Sequence, residues 1–341
     1  MIQTIVAPPT EEIIQLAGKL LRNGELVAIP TETVYGLAAN ALDGKAVEKI
    51  FKAKGRPMDN PLIVHISDIS QVYDLVGEFP EKAKRLAEHF WAGALTIIMP
   101  CSDKVPKEVT AGLDSVAIRF PSHSVAQKII TSAGVPLAAP SANLSGSPSP
   151  TSAMHVYYDL KDKIPLIVDG GESNVGVEST VISVIGDTPT LLRPGGITVE
   201  QIESVIGKIQ IDKGVTERID NGTVVASPGM KYKHYSPKAN IVIVKSDNDE
   251  YIDYINSKKN TPHIGALCYD EDTVRLTVPY VSLGRKDDYQ TQAHNLFDAL
   301  RQLDEMKLQL VYARCPKTDG IGLAVYNRLI RCAGFEVIEL A

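Results

Sequence analysis

Lys54 and Arg56 stand two residues apart in the run Lys54-Gly55-Arg56-Pro57-Met58-Asp59-Asn60-Pro61-Leu62, which leads at once into Ile63-Val64-His65-Ile66. Just upstream, Val47, Ile50 and Phe51 recur at helical spacing. Gly55 and Pro57 should stop that helix. The spacing therefore holds two cations on a short, rigid turn at a helix end. An Arg fork suits paired phosphate or carboxylate oxygens, and a Lys ammonium adds a compact charge. The same cations would also suit a solvated helix C-terminus, where they complement the dipole. What points to an anion site is that other polar motifs follow, each where an apolar strand runs into a turn.

Leu26-Val27-Ala28-Ile29 reads as a buried strand, with Thr31, Thr33 and Tyr35 beyond its carboxyl end. Open α/β sheets bind ligands there, although ordinary β-formers leaving a strand would look the same. Arg119 lies in the apolar stretch Val116-Ala117-Ile118-Arg119-Phe120. A cation so placed needs an anionic partner, either a ligand or a structural carboxylate. The strand-like Val135 to Ala139 runs into Ser141-Ala142-Asn143-Leu144-Ser145-Gly146. Small side chains there let a ligand approach the backbone. The Pro/Ser run 147–151 continues it and could equally be a connector. Further on, glycines flank Glu178, Ser179 and Arg193 and permit close backbone contact.

These motifs need a scaffold. With 341 residues, two domains are the natural count, and 44% hydrophobic residues supply core material. No apolar run reaches membrane-spanning length, and the start of the chain lacks a basic-then-apolar leader pattern. Cys101, Cys268, Cys315 and Cys332 are scattered without a CxxC pair, which fits reduced thiols in a cytoplasm. A net charge of −6 argues against a general nucleic-acid coating protein. An anion site must then be a local concentration of Lys and Arg.

The first domain should run over 1–206 and close with a helix capped by Thr198. Residues 207–238 read as a linker. It is too rich in aromatics and cations for a passive tether, with Lys231, Tyr232, Lys233, His234 and Tyr235. We expect its segment 227–237 to act as a lid. From 239 to 341, strand-like runs alternate with helical patterns at 247–258 and 289–306, which implies a smaller parallel α/β domain.

Taken together, the motifs PTETVYGL, KGRP with DNPL, IVHI, AIRFP, APSANLSG, GVESTVI, LLRPGG and SPGMKYKHYSP resemble the YrdC-like family in its longer, two-domain form. They fall in the expected order between Pro30 and Pro237, with Lys54/Arg56 and Ser141/Asn143 as the signature pairs. The resemblance implies an α/β fold. A twisted mixed sheet with helices would enclose a cationic cavity, and a Rossmann-like accessory domain would follow. It implies a nucleotidyltransferase that joins L-threonine, bicarbonate or carbon dioxide, and ATP into threonylcarbamoyl-AMP with release of pyrophosphate. The product would serve threonylcarbamoyladenosine formation beside the anticodon of certain tRNAs. Implied partners are the tRNA threonylcarbamoyl transferase machinery downstream and weak contact with RNA, with no membrane. Magnesium would enter with ATP, and no protein metal ligands are implied.

The same resemblance, with the chemistry, implies residue roles. Lys54, Arg56, Ser141 and Asn143 would be catalytic, the first two on triphosphate or carbamate oxygens. Arg56, Asn60, Ser115, Ala139, Ser141, Ser149 and Arg193 would form the ATP site, joined by His234 or Tyr235 from the linker. Thr33, His65, Arg119 and Ser179 would hold threonine. His65 could instead be a satisfied core histidine. Two other function classes share some of these features. One is a carbamoyltransferase with a different acceptor, but such enzymes carry zinc-finger or kinase-like domains not found here. The other is an RNA-binding module, which would want a run of stacking aromatics in place of small hydroxyls.

Overall fold

The computed structural model describes residues 2–218 and 235–340. Two α/β layers are built around two sheets. The first sheet has eleven strands among the described residues. Across it run Ile5–Ala7, Leu166–Val168, Val27–Ile29, Gly36–Asn40, Leu137–Ala138, Ile63–His65, Ser115–Arg119, Leu95–Pro100, Thr180–Ser183, Thr190–Arg193 and Gln210–Ile211. Parallel and antiparallel neighbours are mixed, as expected. The short strand Gln210–Ile211 sits on its edge and pairs in parallel with Thr190–Arg193.

Two local devices deliver the cations. Asp43 caps the helix Gly44–Lys54, accepting from the amides of Lys45 and Ala46. Gly55 ends it in the left-handed region at φ 62°, which an L side chain enters only with strain. Lys54 is thereby the last helical residue, and Arg56 lies on the turn beyond. Period-two alternation does the rest. The parallel register pairs Ile63 with Ala117 and His65 with Arg119. One face of these strands therefore carries a small apolar floor of Ile63, Ile98, Ala117, Val181 and Leu192. His65 and Arg119 project beside it, at the carboxyl ends of their strands. The opposite face, with Val64 and Ile118, joins the main core.

The second sheet is wholly parallel, in the order Tyr280–Ser282, Ile264–Cys268, Leu310–Arg314, Asn240–Lys245, Val337–Glu339. The expected helices appear as Asn248–Ser257 and Tyr289–Glu305. The helix Gly322–Cys332 and the strand Val337–Glu339 were not anticipated from sequence. All four cysteines are free thiols. Among the described residues no helix is long and apolar enough to cross a membrane.

The two layers share a core. Val34 and Val177 of the first pack with Tyr235, Phe297, Leu300 and Leu329 of the second part of the chain. Arg301 forks onto Asp159 at 2.9 and 3.1 Å and also reaches the Pro148 carbonyl at 2.6 Å. His155 meets Asp298 at 3.2 Å. At Gly176, φ is +78° and the backbone lies against His294. An added Cβ would fall 2.3 Å from the His294 Cα. Most of the segment read as a lid, including Lys231, Lys233 and His234, lies outside the described residues.

Gly176→Ala should therefore cost about 3 kcal/mol, combining overpacking with left-handed strain. Gly134→Ala has a similar φ of +65° but open space around it, and should cost only about 1 kcal/mol. Thermal melts of the two variants compare them; equal losses would mean that the close approach at Gly176 does not constrain the interface.

Candidate active site

One cavity, lined by Ile63 of the floor just described, holds about 740 Å³ not filled by atoms, part of it open to solvent. It gathers most of the residues singled out from sequence. Thr33, Lys54, Arg56, His65, Arg119, Ala139, Ser141, Asn143, Ser179, Arg193 and Tyr235 all line it. Three others do not. Asn60 is buried behind Arg56, and its backbone carbonyl accepts from the Arg56 Nη2 at 3.2 Å. Ser149 is fully buried and donates to Glu178 Oε1 at 2.5 Å. Ser115 shares the face of Ala117 and Arg119 but lies at the opposite end of that strand. His234 is outside the described residues. Tyr35 is a correction. Its phenol is buried away from the cavity and bridges a turn, donating to the Gly171 carbonyl at 2.7 Å and accepting from the Gly170 amide.

Lys54 is 3% exposed. Its ammonium donates to the carbonyls of Ser141 at 2.5 Å and Asn143 at 2.6 Å, and faces Asn143 Oδ1 at 3.4 Å. The Asn143 amide in turn donates to the carbonyls of Leu144 and Ser147, both at 2.8 Å. The Ser145 amide donates back to the Lys54 carbonyl at 2.9 Å. Here Lys54 and Asn143 brace the loop 141–147, whose Ser141, Ser145, Gly146 and Ser147 face the cavity. Burial pulls the Lys54 pKa down to about 7, with help from neighbouring Arg56.

Arg119 finds the structural carboxylate that the sequence left open. Its Nη2 lies 2.6 Å from Glu32 Oε1, its Nη1 donates to the Thr33 hydroxyl at 2.8 Å, and its Nε to the Gly93 carbonyl. Burial pushes the Glu32 carboxyl up, but Arg119 outweighs it and the group stays ionised below the usual range. His65 Nδ1 faces the Ile63 carbonyl at 3.2 Å. Burial, and then the charge of Arg119, drive its pKa down to about 3. The imidazole is therefore neutral. With the Nδ1 proton given to that carbonyl, Nε2 is an acceptor.

On the other wall, Arg193 donates through Nε to the Ser179 carbonyl at 3.1 Å and through Nη2 to the Ser179 hydroxyl at 3.2 Å. That hydroxyl also pairs with Thr96 at 2.7 Å. Glu178 stands beside them, 6% exposed. Burial pushes its carboxyl up, yet Arg328, Arg193 and the Ser149 hydroxyl together hold it low and ionised. Tyr235 closes this side. Its ring lies 5.3 Å from that of Phe297. The lining thus carries Lys54, Arg56, Arg119 and Arg193 against Glu178, a surplus of positive charge sized for anions. Among the described residues no group of three or more His, Cys, Asp or Glu converges as a metal site.

Sequence reasoning missed Glu32 as the partner of Arg119, and Arg328 altogether. A Glu immediately before a cavity-lining Thr carried a weak signal, since Thr33 was already singled out. Arg328, from a helix not foreseen and 150 residues from Glu178, carried none.

Comparison with known proteins places the chain in a family. A family model described as "Telomere recombination", that of Sua5, YciO and YrdC, matches residues 19–195. A second, described as "Threonylcarbamoyl-AMP synthase, C-terminal domain", matches residues 197–334. Threonylcarbamoyl-AMP synthase of Bacillus subtilis is 52% identical, over 96% of this chain and 94% of that one. The enzyme of the same name from Pyrococcus abyssi is 46% identical, over 96% of both. Among solved structures, Pyrococcus abyssi Sua5 complexed with L-threonine superposes with a TM-score of 0.91 at 44% identity, over 100% of both chains. The matches span both layers of the fold, so the chain belongs to the Sua5/YciO/YrdC family, in the two-domain form that carries the threonylcarbamoyl-AMP synthase C-terminal domain.

Proposed function

We propose that this chain synthesises threonylcarbamoyl-AMP from L-threonine, bicarbonate or carbon dioxide, and ATP, releasing pyrophosphate, in the service of tRNA threonylcarbamoyladenosine. The observation that carries this reading is one cavity lined by Lys54, Arg56, Arg119 and Arg193. We assign it two anion positions, one at Arg119 with Thr33 and His65, the other at Arg56 with the loop 141–147. Full-length relatives named for this reaction support it, as does a relative's complex with L-threonine.

The chemistry follows from these positions. Threonine enters with its carboxylate toward Arg119, whose Nη1 already donates to the cavity-lining Thr33 hydroxyl while Glu32 holds Nη2 in place. The neutral His65 Nε2 accepts from the threonine hydroxyl, and Ser179 offers a second hydroxyl partner. The threonine amine takes up carbon dioxide to form a carbamate, releasing a proton. ATP arrives with its magnesium, triphosphate along Arg56 and the hydroxyls and amides of the 141–147 loop, near Ser141 and Asn143. Asn60 and Ser149 act from behind the wall, by fixing Arg56 and Glu178. Ala139 leaves room beside the loop. Ser115 would meet only the far end of a nucleotide lying along its strand face. A carbamate oxygen attacks the α-phosphorus, the bond to the β-phosphate oxygen breaks, and pyrophosphate leaves with that electron pair. Both reactants are anions, so charge stabilisation and alignment carry the rate; no covalent enzyme intermediate is needed. The segment holding His234 would cover the nucleotide from the Tyr235 side. Transfer machinery acting on tRNA would take the product, in a cytoplasmic setting.

The direct test is pyrophosphate release. It should require threonine and bicarbonate together, with threonylcarbamoyl-AMP detected by mass spectrometry. Release with ATP alone, or with a different acceptor, would point to another transferase. Arg56→Ala should lose most of this activity and keep the fold, because a partly exposed cation at a turn adds little stability.

Substrate choice tests the threonine pocket. If His65 and Ser179 hold the hydroxyl, 2-aminobutyrate should fall by roughly 10³-fold or more in kcat/KM, since a buried polar group is left unpaired. Serine, which lacks only the methyl, should fall by roughly 10–100-fold. Comparable efficiency with 2-aminobutyrate would contradict the pocket.

Lys54 makes the nucleotide side sensitive to pH. Its pKa of about 7 means that the cavity carries this positive charge below pH 7 and loses it as pH rises. Triphosphate favours the charged form, so ATP binding above pH 7 should take up a proton at Lys54. Titration calorimetry at high and low pH, in buffers of different ionisation enthalpy, measures that uptake. It should vanish in Lys54→Met, leaving only the opposite contribution of the terminal phosphate. Identical proton uptake in both proteins would remove Lys54 from the account.

A further inference from the structure

The helix Gly322–Cys332 is buried on almost every side: all its residues but Tyr326 are shielded from solvent. Its apolar residues Ala324, Val325, Leu329 and Ile330 belong to the core of the second layer. Its polar residues turn the other way, into the first. Asn327 donates to the Val215 carbonyl at 2.6 Å, and Arg331 to the Gly214 carbonyl at 2.5 Å. Arg328, fully buried, goes deepest. Its Nε donates to Glu178 Oε2 at 3.0 Å and its Nη1 to the Pro194 carbonyl at 2.5 Å. Its Nη2 faces the Glu178 carbonyl at 3.4 Å, and the guanidinium lies 5.9 Å from the centre of the Tyr235 ring.

Docking alone does not require this. The shared apolar core and the Arg301–Asp159 fork already join the layers. A buried ion pair gives little net stability over an apolar contact of the same volume, because both charges lose water. What is specific is the partner chosen. Glu178 lines the cavity and is next to Ser179 and Arg193. Both of its oxygens are taken, one by Arg328 and the other by Ser149. Pro194, held by the same guanidinium, is the residue after Arg193.

We propose that Arg328 is a positioning residue for the nucleotide side of the cavity: by holding Glu178 and the backbone at Pro194, it keeps that carboxylate from drawing Arg193 away from its place on Ser179 in the cavity wall. The second domain thereby supports, through Glu178, a site whose walls belong to the first domain and to Tyr235. The physical reason is competition for one carboxylate. Glu178 and Arg193 are near enough for each to act on the other's charge. With Arg328 in place, Glu178 has a cation of its own. Without it, the cation left acting most strongly on the buried carboxylate is Arg193. The Arg193 guanidinium would then turn from Ser179 toward Glu178, and one positive charge would be lost to an incoming triphosphate. The threonine side, held by Arg119, Thr33 and His65, has its own carboxylate in Glu32 and would be little changed.

The inference rests on the nucleotide reading above, and calorimetry on the full chain separates the two. A wild-type chain that binds no ATP would sink that reading. If it binds ATP, Arg328 is tested by Arg328→Met, which keeps length without charge, and Arg328→Lys, which can reach only one of the two partners. Binding stoichiometry counts folded molecules, whereas Kd reports the shape of the site. Arg328→Met should retain stoichiometry, raise the ATP Kd by about tenfold or more, and leave the threonine Kd within about twofold. Arg328→Lys should fall between Arg328→Met and wild type. A merely structural role predicts lower stoichiometry with unchanged Kd, or equal weakening of ATP and threonine; either overturns the proposal, as does wild-type ATP affinity in Arg328→Met. If Arg328→Met does not fold, Arg328→Lys decides by the same criteria. Failure of both to fold would assign Arg328 to stability alone.

Discussion

A site for two anionic reactants must hold its cations out of water before either reactant arrives, and an unpaired buried charge is not tolerated. Most of the cavity's architecture answers that constraint. Arg119 is balanced by Glu32 and Thr33. Arg193 rests on Ser179. Lys54 spends its protons on the carbonyls of the 141–147 loop, and burial lowers its pKa far enough that the charge can be withdrawn. Each cation is therefore satisfied by a partner that also shapes the wall. The same bonds that make the charges bearable fix the loop, the strand ends and the domain contact.

This explains why the first sheet is mixed and why short strands suffice. His65 and Arg119 have to end side by side, which a parallel pair provides. The loop after Leu137–Ala138 has to return over that pair, which an antiparallel neighbour on the other edge provides. The apolar floor beneath is small, five side chains from five strands. It excludes water from below and leaves the polar groups as the rim. Rim and floor alternate because strand side chains alternate.

How much of this could be read from the sequence depended on whether the signal was local. The helix ending at Lys54, its glycine stop and the apolar strand after it lie within a few turns of chain, and the structure has them at Gly44–Lys54, Gly55 and Ile63–His65. Eleven of the residues singled out meet in one cavity, most of them because their motifs mark strand ends, and strand ends in one sheet converge. What escaped was non-local. Tyr35 sits in a motif with cavity residues but takes the other side of its turn. Nothing in the spacing told the two sides apart. Glu32 was passed over because its partner lies 87 residues away. The helix Gly322–Cys332 is amphipathic, but a face of Asn327, Arg328 and Arg331 reads as solvent-facing in the sequence. Only the folded chain shows that face buried, against Val215, Glu178 and Gly214.

The central claim is that the cavity holds two anions in fixed places, a carboxylate at Arg119 and a triphosphate at Arg56 and the 141–147 loop. A crystal structure of this chain soaked with threonine and a non-hydrolysable ATP analogue tests it most directly. The account predicts the threonine carboxylate on the Arg119 fork, its hydroxyl at His65, and its nitrogen facing the α-phosphate across a gap wide enough for one carbon dioxide. Triphosphate density at Arg119, or threonine bound outside the Thr33–His65 wall, would contradict it.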